Sequence, residues 1–139
     1  MAESAFVLDT HAWIWYVSGD AEIKASSRNY LEAKFASHPV LVPAICVWEI
    51  ALLSKRSRLH LAKPLADWVH EALSRPRFTL SPLDERIAME AANLPPGFHN
   101  DPADCMIVAT ARVADATLVT RDKRIIDYAE SGHVRVFAI

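Results

Sequence analysis

Short apolar runs alternate with amphipathic segments along almost the whole of this chain. Runs such as AFVLDT at residues 5–10 and TLVT at 117–120 carry apolar or β-branched residues at successive positions, which is typical of strands buried on both faces. Between such runs, apolar residues recur three or four positions apart, which predicts helices. Strands that alternate with helices in this way indicate a parallel sheet covered on both sides. We therefore expect an α/β fold with three α/β/α layers around a central, mainly parallel sheet.

Turn and capping residues set the boundaries of the predicted elements. Gly19 follows the first helical segment, Pro64 is expected at the first position of a helix, and Asp84 is expected to cap another helix, which Pro95 and Pro96 end. We predict strands at 5–10, 38–44, 78–83, 117–120 and 134–139, and helices at 11–19, 22–37, 45–59, 64–75, 84–94, 101–114 and 122–132. Because 139 residues support one sizeable core and no repeat or linker interrupts them, we predict a single domain over residues 1–139.

Composition excludes several classes of protein. With three glycines, no glycine-rich phosphate-binding motif can be written, and no apolar run approaches the roughly 18 residues of a membrane span. The amino-terminal MAESAFVLDTHAW lacks the basic segment of a signal peptide. Cys46 and Cys105 lie far apart in apolar helical patterns, so we expect reduced core thiols in a cytoplasmic protein. Since the net charge is −2, any binding to nucleic acid requires local basic patches.

Acidic residues fall where the predicted strands end. Asp9 ends the first strand, Asp122 lies just past the strand TLVT, and Glu49 lies one helical turn into the helix after VLVPA. Asp101 and Asp104 open the helix that precedes TLVT, where one Asp would be enough for capping. Because ligands collect at the carboxyl ends of the strands in such a sheet, we expect four or five carboxylates to converge on one edge.

A cluster of carboxylates is unfavourable by itself. Two of them about 5 Å apart repel by roughly 3 kcal/mol at an effective dielectric constant of about 20. Such a group takes up protons or binds a cation. Oxygen ligands without His or Cys select Mg²⁺ or Mn²⁺, and metal held in this way is the usual means of cutting phosphodiesters. For each acid taken singly, a turn, a cap or a solvated surface position is the alternative.

Four short motifs, VLDTHAWIW, VWEIA, DPADCMIVATA and LVTRD, occur in this order over nearly the whole chain. Together they resemble the PIN domain family and, more narrowly, the VapC-type toxins of prokaryotic type II toxin–antitoxin pairs. The resemblance implies a metal-dependent endoribonuclease that uses Mg²⁺ or Mn²⁺. Its catalytic and metal-binding residues would be Asp9, Glu49, Asp104 and Asp122, with Asp101 alongside as a further ligand or as a cap, and Thr120 in support.

The resemblance also implies partners, namely RNA as substrate, a small antitoxin encoded beside this chain, and a second copy of the chain in a homodimer or higher oligomer, without a membrane. The basic residues that would serve RNA are a patch of Lys55, Arg56 and Arg58, and a group expected near the acids, Arg112, Arg121, Lys123 and Arg124.

Aromatic side chains and one loop complete the sequence-based expectations. Trp13, Trp15, Trp48 and Trp68 are expected in the core or at a dimer surface. His11 and His99 are expected in loop or helix-surface positions, with contact to substrate as the alternative. Similar sequences tend to have Gly before a basic residue and Leu where this chain has KRSRL with Ser57, so the departure concerns the loop and not the acidic residues.

Two other functions compete with this hypothesis. A phosphatase of the haloacid dehalogenase kind would also place an Asp at the end of the first strand, but its D-x-D-x-T motif requires a second Asp where His11 stands. A non-catalytic module that binds RNA or protein is the other alternative. Loss of one or more acids would signal such a module, and none is lost here.

Overall fold

The computed structural model describes residues 4–139, and at its centre is a sheet of five strands. The strands are β1 (Phe6–Leu8), β2 (Val40–Pro43), β3 (Phe78–Ser81), β4 (Thr117–Thr120) and β5 (Arg135–Ala138). The helices are α1 (Thr10–Ser18), α2 (Ala25–Phe35), α3 (Ala44–Lys55), α4 (Leu65–Leu73), α5 (Glu85–Ala92), α6 (Pro102–Ala114) and α7 (Lys123–Ala129). Every strand pairing is parallel, which confirms the predicted α/β fold.

The order of the strands determines where the site lies. The sheet runs β3-β2-β1-β4-β5, so the chain moves outward from β1 on one side and returns to its other side at β4. Leu8 pairs in register with Val119, which brings the carboxyl ends of β1 and β4 side by side. A parallel sheet leaves a crevice where its strand order reverses in this way.

Buried apolar side chains hold the central strands between the helices. The three residues of β1 have no exposed surface, and neither has Trp13 of α1. The ring of Trp13 meets that of Trp68 edge to face, with 5.1 Å between the ring centroids, which ties α1 to α4. In the described part of the chain, no helix is long and apolar enough to span a membrane.

Several predicted boundaries are wrong by a few residues. The first strand ends at Leu8 and not at residue 10, because Asp9 is the N-cap of α1 and Thr10 already belongs to the helix. Pro64 is the N-cap of α4 and not its first residue, whereas Asp84 caps α5 as predicted. β3 and β5 are partly exposed and not buried on both faces, because they form the two edges of the sheet.

The turn after α3 adopts the geometry that glycine usually provides. Ser57 has a φ of 55°, in the left-handed region, and its N–H donates to the carbonyl oxygen of Ser54 at 3.1 Å. The N–H of Arg58 then donates to the carbonyl oxygen of Leu53 at 2.9 Å, which closes the end of the helix. The loop therefore keeps a left-handed turn despite the serine.

Replacing Ser57 by glycine should stabilise the protein. A residue with a Cβ in the left-handed conformation costs roughly 1–2 kcal/mol, and glycine removes most of that strain. Urea denaturation of Ser57→Gly should give a free energy of unfolding about 1 kcal/mol above the wild type. Ser54→Gly is the matched control, because it places glycine inside α3 and should lower the free energy of unfolding by roughly 0.5 kcal/mol. A Ser57→Gly protein no more stable than the wild type would contradict the strain.

Candidate functional site

A cavity of about 860 Å³ opens at the carboxyl ends of β1 and β4. All the acidic residues singled out in the sequence line it, namely Asp9, Glu49, Asp101, Asp104 and Asp122. They come from segments far apart in the chain, and the crossovers of a parallel sheet bring those segments to the same edge.

Asp9 and Asp122 are connected through Thr120, the last residue of β4. The Asp9 side chain is buried, and its Oδ1 accepts the N–H of Ala12 at 2.8 Å as the N-cap of α1. The hydroxyl of Thr120, which is fully buried, donates to Oδ2 of Asp9. The same hydroxyl oxygen accepts the N–H of Asp122 at 3.0 Å. One side chain thus fixes the rotamer of Asp9 and the backbone that carries Asp122.

Thr10 performs the corresponding task for Glu49, a role that the sequence alone did not reveal. Its hydroxyl donates to Oε1 of Glu49 at 2.5 Å, across 39 positions in the chain. Glu49 is half-buried on α3. The signal that was available is the position of Thr10 directly after Asp9, where the first turn of α1 faces the cavity.

The two aspartates that open α6 differ in role. Asp101 is exposed and is the N-cap of the helix, with its Oδ1 accepting the N–H of Asp104 at 3.0 Å. Asp104 is half-buried, and its Oδ2 lies 3.3 Å from Nη2 of Arg124 and 3.2 Å from Nε2 of His99. Capping therefore accounts for Asp101 but not for Asp104.

Asp122 is the N-cap of α7. Its Oδ1 accepts the N–H of Arg124 at 2.8 Å, and the guanidinium of the same arginine lies 3.5 Å from Oδ2. Arg124 thus places positive charge between Asp104 and Asp122 while its own side chain stays exposed.

Burial and, to a smaller extent, mutual repulsion raise the pKa values of Asp9 and Asp104. Burial raises the pKa of Asp104 to about 7, with further contributions from the negative charges of Asp101, Asp122 and Glu49, and Arg124 opposes the rise. Burial also raises the pKa of Asp9, against which the hydrogen bonds from Thr120 and Ala12 act. The cavity therefore holds more carboxylate than it can keep fully ionised near neutral pH without a cation.

The donor set fits a hard divalent cation. Five carboxylates line the cavity, at the starts of α1, α6 and α7 and on α3, and such oxygen ligands suit Mg²⁺ or Mn²⁺. Between residues 4 and 139, no three Asp, Glu, His or Cys side chains stand close enough together to hold a metal ion in their present rotamers. The carboxylates repel one another and bond to Thr10, Thr120 and Arg124. We therefore expect them to stand apart from one another when no cation is bound.

The remaining walls of the cavity are basic on one side and apolar on the other. Arg56 and Arg121 lie on the rim, and the guanidinium of Arg121 sits 4.5 Å from the ring centroid of Trp15. Trp48 belongs to the apolar wall and is 55% exposed, so it is not a core residue. His11 is exposed at the rim with its ring 5.4 Å from that of Trp15.

Arg112 does not lie near the acids, so that expectation is wrong. It is eight residues beyond Asp104 on α6, or about 12 Å along the helix axis. It pairs with Glu90 at 2.7 Å and donates to the carbonyl oxygen of His133 in a second, smaller cavity. Of the basic residues proposed for RNA, those that line the acidic cavity are Arg56, Arg121 and Arg124.

Comparison with known proteins identifies relatives over nearly the whole chain. The family model described as PIN domain matches residues 6–131. Ribonuclease VapC22 of Mycobacterium tuberculosis (strain ATCC 25618 / H37Rv) is 29% identical over 131 residues, which are 94% of this chain and 97% of that protein. The crystal structure of FitAcB from Neisseria gonorrhoeae is similar with a TM-score of 0.63 at 26% identity, covering 95% of this chain and 96% of that one.

A second solved structure, less similar in sequence, has the same fold. It is the crystal structure of VapBC2 from Rickettsia felis bound to a DNA fragment from their promoter. Its TM-score is 0.70 at 17% identity, and the match covers 97% of this chain and 98% of that chain.

The raised pKa of Asp104 predicts how stability in EDTA depends on pH. The folded carboxyl keeps its proton up to a pKa of about 7, whereas the unfolded one loses it near 3.8, so stability is lost as pH rises through this interval. Asp104→Asn has no carboxyl to ionise at this position, so the variant does not lose stability in this way. Its free energy of unfolding relative to the wild type should therefore rise from pH 4 to pH 7 in urea denaturation series.

The control for this series is Asp84→Asn. Asp84 caps α5 outside the cavity, so its stability relative to the wild type should not follow the same rise. A flat difference between Asp104→Asn and the wild type across this interval would contradict the raised pKa of Asp104.

Proposed function

The chain belongs to the PIN domain family, and from this premise we propose that it is a metal-dependent endoribonuclease that acts as the toxin of a type II toxin–antitoxin pair. The observation that carries the proposal is the set of five carboxylates around one cavity at the carboxyl ends of β1 and β4. The relative named Ribonuclease VapC22 supports the activity, since it aligns over 94% of this chain.

The metal would be Mg²⁺ or Mn²⁺, held by Asp9, Glu49, Asp104 and Asp122, with Asp101 at the rim. When bound, it supplies an activated water and neutralises charge on the phosphate. Thr120 and Thr10 keep Asp9 and Glu49 in fixed rotamers, so these two carboxylates do not have to be ordered when the substrate binds. Asp101 chiefly orders the start of α6, which carries Asp104.

Arginine side chains at the rim of the cavity are placed to bind the phosphates of an RNA backbone. Arg56 is exposed, and no described residue forms a hydrogen bond or ion pair with its side chain, so its guanidinium is free to bind phosphate. Arg124 stands between the acids and solvent. The overall charge of −2 requires this local arrangement, because the protein as a whole does not attract nucleic acid.

A small antitoxin is the second proposed partner. Neighbouring structures include the toxin–antitoxin complex from Klebsiella pneumoniae, with a TM-score of 0.65 at 24% identity. On this chain, Trp48 is 55% exposed beside the acids, and a partner that covers it would also close the cavity. We further propose self-association into a dimer or higher oligomer, a single domain over the whole chain, and a location in the cytoplasm.

The alternative functions fit the site less well. A phosphatase of the haloacid dehalogenase kind requires a second Asp two residues after Asp9 as its acid, and His11 stands there. A non-catalytic binding module has no need for a half-buried carboxyl such as Asp104, whose pKa is raised to about 7 by burial and by the negative charges beside it. We therefore favour the nuclease.

Cleavage of single-stranded or looped RNA should require Mg²⁺ or Mn²⁺ and stop in EDTA. Asp9→Asn and Asp104→Asn should abolish most of the single-turnover rate, and each should relieve the growth arrest that expression of the wild type causes without its antitoxin. Asp101→Asn is the matched control, because Asn caps a helix nearly as well as Asp and should lose less activity. RNA cleavage that persists after thorough chelation would overturn the proposal, and an Asp101→Asn variant less active than Asp104→Asn would reverse the two roles.

A further inference from the structure

His99 lies behind Asp104, outside the lining of the cavity, in the loop between α5 and α6. Its Nδ1 accepts the backbone N–H of Asp101 at 3.2 Å. A ring nitrogen that accepts carries no proton, so the hydrogen-bonding pattern assigns the ring proton to Nε2. That N–H faces Asp104, whose Oδ2 lies 3.2 Å from it.

The Nε2 atom is fully buried, and it has no hydrogen bond of good geometry with any residue in the described part of the chain. The distance from Nε2 to Oδ2 of Asp104 suits a hydrogen bond. The bond is missing because the two groups are poorly aligned. Turning the Asp104 carboxylate completes the bond. Leaving a buried donor unpaired costs roughly 1–3 kcal/mol, which favours that turn.

The surroundings of His99 keep its ring in place. The Phe98 ring lies 4.3 Å from that of His99 and 4.8 Å from that of Tyr128 on α7. The Tyr128 hydroxyl donates to the carbonyl oxygen of Pro95 at 2.6 Å, which ties the beginning of the loop to the same helix. A side chain that only filled space would not need its second nitrogen directed at a carboxylate.

Asp104 has one oxygen engaged and one free. Oδ2 faces both His99 and Arg124, whereas no described residue forms a hydrogen bond with Oδ1. Carboxylates and imidazoles that bind metals are oriented by hydrogen bonds to the groups behind them, and loss of such a bond weakens metal binding by about 10–100-fold.

We propose that His99 is a positioning residue, which holds Asp104 through Nε2–H and Oδ2 and so leaves Oδ1 for the cation. The proposal rests on the proposed function, since it assigns a role towards the metal of that same site. The two nitrogens of the His99 ring then have different tasks. Nδ1 orders the loop at Asp101, and Nε2 orients Asp104.

Two substitutions separate these tasks. In His99→Gln, the terminal amide places an N–H donor about where Nε2 stands, whereas in His99→Asn the shorter side chain places its amide oxygen about where Nδ1 stands. Asn therefore keeps the acceptor for Asp101 and loses the donor to Asp104, and Gln does the reverse. Both variants of the full chain are compared with the wild type.

The measurement is binding of Mn²⁺ alone, followed by electron paramagnetic resonance of the free ion, together with thermal unfolding in EDTA. His99→Asn should bind Mn²⁺ roughly 10–100-fold more weakly than the wild type, and His99→Gln should retain most of the affinity. The melting temperatures in EDTA should not follow this order, because loss of the Asp101 bond lowers the stability of His99→Gln at least as much.

Three results would overturn the proposal. If His99→Asn binds Mn²⁺ as tightly as the wild type, or if His99→Gln loses as much affinity as His99→Asn, the ring has only a structural role in the loop. If the wild type itself binds no Mn²⁺, the proposed function fails and this inference fails with it. When only the inference fails, the wild type still binds Mn²⁺, so the two failures are distinguishable.

Discussion

Repulsion among carboxylates at one end of the sheet is the constraint to which the neighbouring parts of the fold respond. Burial raises the pKa of Asp104 to about 7 and repulsion adds to that rise, and the charge of Asp122 adds in the same way to the effect of burial on Asp9. The fold offsets the repulsion with backbone N–H groups, since Asp9, Asp101 and Asp122 each cap a helix. The partial positive charge of a helix N-terminus stabilises an acid there by roughly 0.3–1 kcal/mol. The caps therefore help to keep the acidic cluster compatible with folding.

The order of the strands makes this arrangement possible. Because β1 and β4 are neighbours and run parallel, α1 and α7 both begin at the same edge, with Asp9 and Asp122 as their caps. Thr120 lies between them and bonds to both. β1 and β4, which are buried along their whole length, give this edge a rigid base. A site on rigid elements holds its side chains more closely than one on a mobile loop.

Much of this was predictable from local pattern, and the rest was not for identifiable reasons. The alternation of strands and helices predicted the parallel sheet, and the acids at strand ends predicted which carboxylates share an edge. Thr10 was missed because its contact with Glu49 joins positions 39 apart and depends on two rotamers. Arg112 was placed wrongly because the eight residues that separate it from Asp104 in the sequence carry it well away from the acids along the axis of α6. For Trp48 the sequence left the core and a dimer surface open, since an apolar helix pattern does not show which of its side chains stay exposed.

Thermal unfolding of the wild type and Asp122→Asn, in EDTA and in Mg²⁺, tests most directly whether the acidic edge is a cation site. Asn keeps the cap on α7 and removes one charge, so the variant should melt above the wild type in EDTA at neutral pH. At about 100 times the dissociation constant, Mg²⁺ adds roughly 2.7 kcal/mol to a protein that binds it. The wild type should gain most of this and the variant much less, so the gap should close or reverse. If Asp122→Asn melts below the wild type in EDTA and responds equally to Mg²⁺, Asp122 is only a helix cap and the account is contradicted.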